Sequence, residues 1–161
     1  MSEPKILTFL FPRSVSTKFS LFLLALRVLF GTLLLLHGIG KWCAYAALSE
    51  TFPDPLGLGV RFSLLSAILV EVFCSIAFIF GLFYRLCMVP MIFTVGTAFF
   101  FVHRADIGAG ELAFVYFAVF VAMYLSGPGM FSLDSVIGSL LRHSRKEKPT
   151  EIVPLSDVPN Q

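Results

Sequence analysis

Four apolar runs, each close to the length that crosses a bilayer, constrain this chain more than any other feature. They extend from Ser20 to about Leu36, from Phe62 to Phe83, from Leu86 to Val102 and from Glu111 to Leu125. A helix needs about 20 apolar residues to cross the hydrocarbon core, so the 161 residues accommodate four spans, short loops and two tails. The prediction is an all-α integral membrane four-helix bundle with no second domain.

The composition agrees with this and excludes other classes. Only 14% of the residues are charged and 57% are hydrophobic, whereas soluble domains carry about 25% charged residues. A formal net charge of +2 is too small to indicate a nucleic-acid partner, and the lipid bilayer is the predicted environment. The three cysteines show no CxxC spacing, so we predict neither a disulfide framework nor a zinc site; they are Cys43, Cys74 and Cys87.

The distribution of basic residues predicts the orientation of the spans. Eight basic residues fall on the side of the two termini: Lys5, Arg13, Lys18, Arg85, Arg142, Arg145, Lys146 and Lys148. Three fall on the opposite side: Lys41, Arg61 and Arg104. Because cytoplasmic segments carry the excess of Lys and Arg, we expect both termini in the cytoplasm and the loops 38–61 and 103–110 on the opposite side.

The segment after the fourth run predicts a short amphipathic helix. Ser126-Gly-Pro-Gly129 ends the preceding helix, and Ser132 is a plausible N-cap. Apolar residues then recur at helical spacing at Leu133, Val136, Ile137, Leu140 and Leu141. With a basic segment behind it, this helix is expected to lie on the membrane surface. The predicted organisation is a cytoplasmic segment 1–18, a membrane domain 19–141 including this helix, and a basic, then disordered, tail 142–161.

Two charged residues lie deep in the apolar runs. Arg27 is in the first run and Glu71 is in the second. Buried charges in hydrocarbon are costly unless they are paired or face water, and they commonly mark functional sites. One interpretation is an Arg27–Glu71 pair that only fixes the register of two helices; the other is that Glu71 acts as a catalytic or proton-handling carboxyl group.

A second polar group is expected at the outer ends of the spans, and we call it the outer polar mouth. Its members are His37, Lys41, His103 and Glu111, with Asp54, Arg104 and Asp106 nearby. Such residues can relay protons or hold the head group of a quinone, and His37 is the second candidate catalytic residue. We predict no metal site, because no two ligands have helical i, i+4 spacing or a compact loop spacing.

Two further patterns leave alternatives open. The segment Phe52-Pro-Asp-Pro-Leu-Gly-Leu-Gly59 is a rigid apolar turn, which indicates either a lid over a lipophilic pocket or a re-entrant connector. Small or polar residues also recur on one face of the second run and of the fourth run, which predicts close packing against neighbouring helices. They are Ser63, Ala67, Glu71, Cys74 and Ser75 in the second, and Glu111, Ala118, Ala122 and Ser126 in the fourth.

Taken in order, these residues resemble the DoxX family of small four-span bacterial membrane proteins. The resemblance covers roughly residues 20–138 and begins with Arg27-x3-Gly31-x5-His37-Gly38-x2-Lys41. It continues through Phe52-Pro-x-Pro-x-Gly-x-Gly59, Glu71 and Gly81-x3-Arg85 to Gly127-Pro-Gly129 and Phe131-Ser-Leu-Asp134.

The resemblance implies a polytopic inner-membrane protein with a redox role near the quinone pool. Relatives include a subunit of a thiosulfate:quinone oxidoreductase and partners in thiol and oxidative-stress complexes. The leading hypothesis is therefore a subunit or anchor of such a complex, with a membrane or periplasmic redox partner and quinone as the candidate cofactor. Two alternatives stay open: a non-enzymatic membrane scaffold, and a binder of a lipophilic small molecule that uses Glu71. Whether the chain is itself an enzyme is left open.

Overall fold

Four long helices dominate the computed structural model, which describes residues 16–146 and their side chains from 16 to 140. They are Thr17–Cys43, Val60–Phe80, Tyr84–Val102 and Ile107–Ser126, here called spans one to four, and each is long and apolar enough to cross a membrane. A short helix, Tyr45–Leu48, follows span one, and the C-terminal helix is Leu133–Lys146. Residues 16–146 contain no strand, and the predicted all-α four-span architecture is confirmed. Residues 1–15 and 147–161, with most of the predicted N-terminal segment and tail, lie outside the described residues.

The helices extend beyond the apolar runs at their outer ends. Span one continues to Cys43, which places His37 and Lys41 in its last two turns rather than after it. Span four begins at Ile107, where the side chain of Asp106 accepts a hydrogen bond from the Gly108 N–H at 2.9 Å. Such a capping residue satisfies a backbone donor that the first helical turn leaves unpaired.

The spans pack in chain order, one against two, two against three and three against four. Aromatic rings of spans two, three and four pack against one another. Phe78 stacks on Tyr84 with ring centroids 5.6 Å apart and meets Phe120 edge to face at 5.4 Å. Around these rings lie further fully buried side chains, namely Met88, Met91 and Met123. This core occupies the half of the bundle nearer the chain termini, which we call the inner half.

The predicted C-terminal helix is present and lies across the inner end. Its N-cap is confirmed, since the Ser135 N–H donates to Oγ of Ser132 at 3.1 Å. Val136, Ile137 and Leu140 are exposed, as expected for a helix that lies on a membrane surface. The helix continues to Lys146, and thus includes the first basic residues that the sequence assigns to the tail.

Candidate functional site

The carboxylate of Glu71 forms an ion pair with Lys41. Oε1 of Glu71 accepts a hydrogen bond from Nζ of Lys41, and the Glu71 residue is only 4% exposed. Gly38 allows this approach, because a Cβ at position 38 would lie 2.8 Å from Cβ of Glu71. Span one and span two therefore touch at the level of the ion pair.

The predicted Arg27–Glu71 pair is wrong, and the reason is depth. Glu71 faces Gly38, which is 11 residues along span one from Arg27, or about 16 Å at 1.5 Å per residue. An arginine side chain does not reach that far. The sequence estimate placed the two charges at similar depths because it measured each from the end of an apolar run, whereas both helices extend beyond those ends.

Arg27 instead binds three backbone carbonyls at the inner end. Nη1 donates to the oxygen of Pro128 at 2.6 Å, and Nη2 donates to those of Phe131 at 2.7 Å and Ile79 at 3.1 Å. Gly81 leaves room for the guanidinium, because a Cβ there would lie 2.8 Å from Nη1 and the residue has φ of +66°. Arg27 thus fastens span two and the Gly-Pro-Gly turn to span one.

Asp134 of the C-terminal helix completes this inner clamp. Its two carboxylate oxygens accept hydrogen bonds from the backbone N–H groups of Phe83 at 2.9 Å and Tyr84 at 2.8 Å. These are unpaired donors at the start of span three. The Arg27 and Asp134 positions of the sequence pattern therefore have a structural role in these contacts.

A cavity of about 550 Å³ opens beside Glu71, between the outer halves of spans two and three. Its wall is mostly apolar and includes Phe62, Phe93, Val102 and the loop residues Phe52, Pro53, Pro55, Leu56 and Leu58. Its polar side chains are Lys41, Glu71, Ser63, Ser66, Thr94, Thr97 and His103. The volume falls in the range of about 300–1,000 Å³ that is usual for small-molecule sites.

Two π-helical segments border the cavity. Val70–Cys74 carries Glu71 in span two, and Ala98–Val102 forms the outer end of span three. A π-bulge inserts one residue into a helix, re-aims the side chains around it and is often found at functional sites. Span three packs on residues 70–80 of span two, whereas the outer parts of the two spans face each other across the cavity.

The segment Phe52–Gly59 covers the outer end of the cavity, and we call it the lid. Asp54 fastens it to span two: its carboxylate accepts hydrogen bonds from the Ser63 hydroxyl at 2.7 Å and the Gly59 N–H at 2.7 Å. These bonds, first that of Ser63, hold the pKa of Asp54 below its ordinary value. The Phe52 ring lies 5.7 Å from Nζ of Lys41, so the lid also contacts the ion pair.

The predicted outer polar mouth is only partly assembled. Lys41 and His103 line the cavity. His103 packs against Gly110, since a Cβ added at position 110 would lie 2.8 Å from the Cβ of His103. His37 and Glu111 are exposed and outside the wall; the His37 ring instead meets Tyr116 of span four, with centroids 6.1 Å apart. Among residues 16–146, no three His, Cys, Asp or Glu side chains gather as a metal site requires.

Sequence reasoning missed the partner of Glu71 and part of the cavity wall. Lys41 follows Gly38 by three residues, so the two share a face of a helix that continues past His37; that continuation was the available signal. Ser66, Thr94 and Thr97 carried no sequence signal of a cavity. The small-residue face of span two is largely buried, as predicted, whereas Ala118 and Ala122 of span four are exposed.

The comparisons with known proteins agree with this architecture. The DoxX family model matches residues 22–104, just over half of the chain. A protein of Haemophilus influenzae, named only as an uncharacterized protein, is 32% identical over 127 residues, which cover 71% of this chain and 89% of that protein. No solved structure matches this chain. On the family match and this relative, the chain belongs to the DoxX family.

Proposed function

We propose that this protein binds a lipophilic small molecule in the cavity between spans two and three. The observation that carries the proposal is the combination of a largely apolar wall with a buried Lys41–Glu71 ion pair. Ligand sites typically pair an apolar wall, which supplies affinity, with a few polar groups, which fix orientation. In this arrangement the ligand's polar head meets the ion pair and its apolar body contacts the wall.

The ligand enters from the bilayer. Phe62 of span two and Phe93 of span three line the cavity and are also 57% and 60% exposed. The same rings therefore face both the cavity and the surface that the lipid contacts. A lipophilic molecule dissolved in the membrane reaches the ion pair without crossing water, and the lid separates it from the aqueous side.

A quinone satisfies this description, and it links the cavity to the redox role that the family resemblance implies. In that version the chain is a subunit or anchor of a quinone-linked or thiol-linked redox complex, and Glu71 is the group that handles a proton at the ligand. His37 is outside the cavity wall and is not assigned a direct role. The basic-residue distribution supports an inner-membrane location with both termini cytoplasmic, so that the lid faces the periplasm.

The second candidate function is a non-enzymatic scaffold, and the exposed face of span four favours it. Val115, Ala118 and Ala122 follow one another along this face and are all exposed. Small side chains let helices approach closely in lipid, so this face suits a helix of a partner protein. Cross-linking through cysteines introduced at Ala118 and Ala122 in native membranes tests this; products at neither position would exclude it.

The binding proposal is tested by extracting and identifying the lipids that the detergent-purified protein retains. Ala98→Phe fills the cavity, and Ala118→Phe adds the same ring to an exposed face. We expect a lipophilic compound, in near-stoichiometric amount, in the wild type and the Ala118→Phe variant and its loss in Ala98→Phe. The same bulk membrane lipids in all three, with no enriched compound, would exclude a dedicated ligand site.

A further inference from the structure

The second carboxylate oxygen of Glu71 has no hydrogen-bond partner. Oε2 is buried, and no donor among the described residues, whose side chains run from 16 to 140, reaches it. A buried charged acceptor that lacks a hydrogen bond destabilises the folded protein. Nearby lies a cavity large enough for a ligand, and the terminal torsion of a glutamate is broad enough for either oxygen to turn toward it.

Some of the other polar groups beside the pair already have partners. Nζ of Lys41 binds Oε1 of Glu71 and lies over the Phe52 ring. The Ser63 hydroxyl donates to Asp54, and the Asp54 carboxylate also holds the backbone of the lid. The acceptor that these contacts leave without a partner is Oε2 of Glu71. The Lys41 ammonium has three N–H donors, one of which Oε1 accepts, so a ligand hydroxyl can accept from Lys41 and donate to Glu71.

From this geometry we infer the ligand class: a lipophilic alcohol or phenol whose O–H group donates to Oε2 of Glu71. The inference rests on the proposed function, since it names the ligand of the same cavity. Ser66, Thr94 and Thr97 do not discriminate, because a hydroxyl both donates and accepts. An ionised carboxylate only accepts, and it therefore repels the oxygen of an ether or ketone.

The consequence is that the site should bind an alcohol in preference to its methyl ether. A ligand O–H restores the missing bond of Oε2, whereas the corresponding methyl ether leaves it unmade and adds a methyl group. The alcohol is expected to bind roughly tenfold or more tightly than the ether, which corresponds to about 1.4 kcal/mol or more for the unmade bond. If the natural ligand belongs to the quinone pool, its reduced, phenolic form binds more tightly than its oxidised form.

Two matched probes test this inference: a long-chain primary alcohol with a diazirine in its chain, and its methyl ether. The protein is reconstituted in phosphatidylcholine nanodiscs, and photolabelling is measured against probe concentration and mapped by peptide mass spectrometry. We expect the alcohol to label the cavity wall at concentrations roughly tenfold or more below those that the methyl ether requires. Glu71→Gln, whose amide both donates and accepts, should reduce the ratio of the ether concentration to the alcohol concentration that gives equal labelling. Glu111→Gln changes an exposed carboxylate outside the cavity and should leave this ratio unchanged.

The outcomes separate the ligand class from the binding function. Equal labelling of the cavity wall by both probes would overturn the hydroxyl inference and leave the binding function intact, with water as the donor to Oε2. Labelling of the wall by neither probe would overturn both. An unchanged ratio in Glu71→Gln would remove Glu71 as the recognising group, and the wild-type ratio decides the ligand class even if that variant fails to fold.

Discussion

Arg27 and Glu71 are both buried charges in apolar spans, yet the structure uses them in different ways. Arg27, 1% exposed, donates three hydrogen bonds to the carbonyls of Pro128, Ile79 and Phe131 and lies outside the cavity wall. Glu71, 4% exposed, has one ion pair, an unpartnered oxygen and a cavity beside it. Burial alone therefore does not identify a functional charge; incomplete bonding next to open space does.

The packing is also denser around Arg27 than around Glu71. At the inner end, segments from spans one, two and three, the Gly-Pro-Gly turn and the C-terminal helix converge on Arg27 and Asp134, and aromatic rings fill the space above them. At the outer end, spans two and three separate, and a proline-rich lid takes the place of helix packing. The inner half thus stabilises the bundle, and the outer half keeps a space for a ligand.

The largest effect is expected from Arg27→Met. The substitution leaves one buried and two part-buried carbonyls without their donors, and hydrogen bonds to a charged group are worth about 1.5–3 kcal/mol each. Because such losses do not add fully, we expect the free energy of unfolding to fall by about 3–5 kcal/mol. Denaturant titration in detergent measures this, with the exposed Arg104→Met as control. If Arg27→Met loses no more stability than the control variant, Arg27 does not stabilise the bundle through these hydrogen bonds.

The Lys41–Glu71 pair is expected to behave differently in a double-mutant cycle. Lys41→Met leaves the Glu71 charge buried and unpaired, which costs about 2–3 kcal/mol after allowance for the partial exposure of Lys41. The double variant Lys41→Met/Glu71→Leu removes both charges and should recover to within about 1 kcal/mol of the wild type. Ligand retention, measured on the same samples, should be lost in both.

This double-mutant cycle tests directly whether Arg27 and Glu71 have different roles. If the double variant is as destabilised as Lys41→Met alone, removing both charges is no better than leaving one buried, and the ion pair stabilises the bundle as Arg27 does. If the double variant still retains the ligand, neither charge contacts it.

A smaller loss is expected from Asp134→Ala. Its carboxylate caps the first turn of span three, and removing a capping side chain costs about 1–2 kcal/mol. The cap of span four, Asp106, is exposed, so Asp106→Ala should cost less. Unfolding titrations of the two variants give the difference. Equal losses would mean that Asp134 acts only as an ordinary helix cap and adds nothing to the Arg27 clamp.

The features predictable from sequence were those set by a local pattern. Apolar run lengths gave the four spans, and the Ser132 cap and the Gly-Pro-Gly turn gave the C-terminal helix. The pairing of Arg27 failed because run ends are not helix ends, and a shift of a few residues changes which charges share a depth. The cavity was indicated only by the lid motif. Its presence depends on how far two spans diverge, which no local pattern records.

The smallest effect is expected at the lid and depends on pH. Hydrogen bonds from Ser63 and the lid backbone lower the pKa of Asp54 in the folded protein. A carboxylate whose pKa is lower when folded stabilises the folded arrangement above its unfolded pKa, about 3.9 for aspartate, and loses that contribution as the pH falls through the folded value. We therefore expect the Leu58 and Gly59 amides, which donate to Asp54, to be protected from hydrogen exchange at neutral pH.

That protection separates a fastened lid from a loosely placed loop. Exchange rates divided by their intrinsic values are compared between the wild type and Asp54→Asn at each pH, with Asp106→Asn as control. At neutral pH the two amides should exchange a few times faster in Asp54→Asn. The difference should shrink below about pH 4 and vanish once the pH has fallen through the lower pKa of the folded carboxylate. Equal rates at every pH would mean that Asp54 does not hold the lid. The lid would then be held by backbone hydrogen bonds such as that from the Ser63 N–H to the Gly59 oxygen at 2.9 Å, and the contrast between the outer half and the clamped inner half would be greater still.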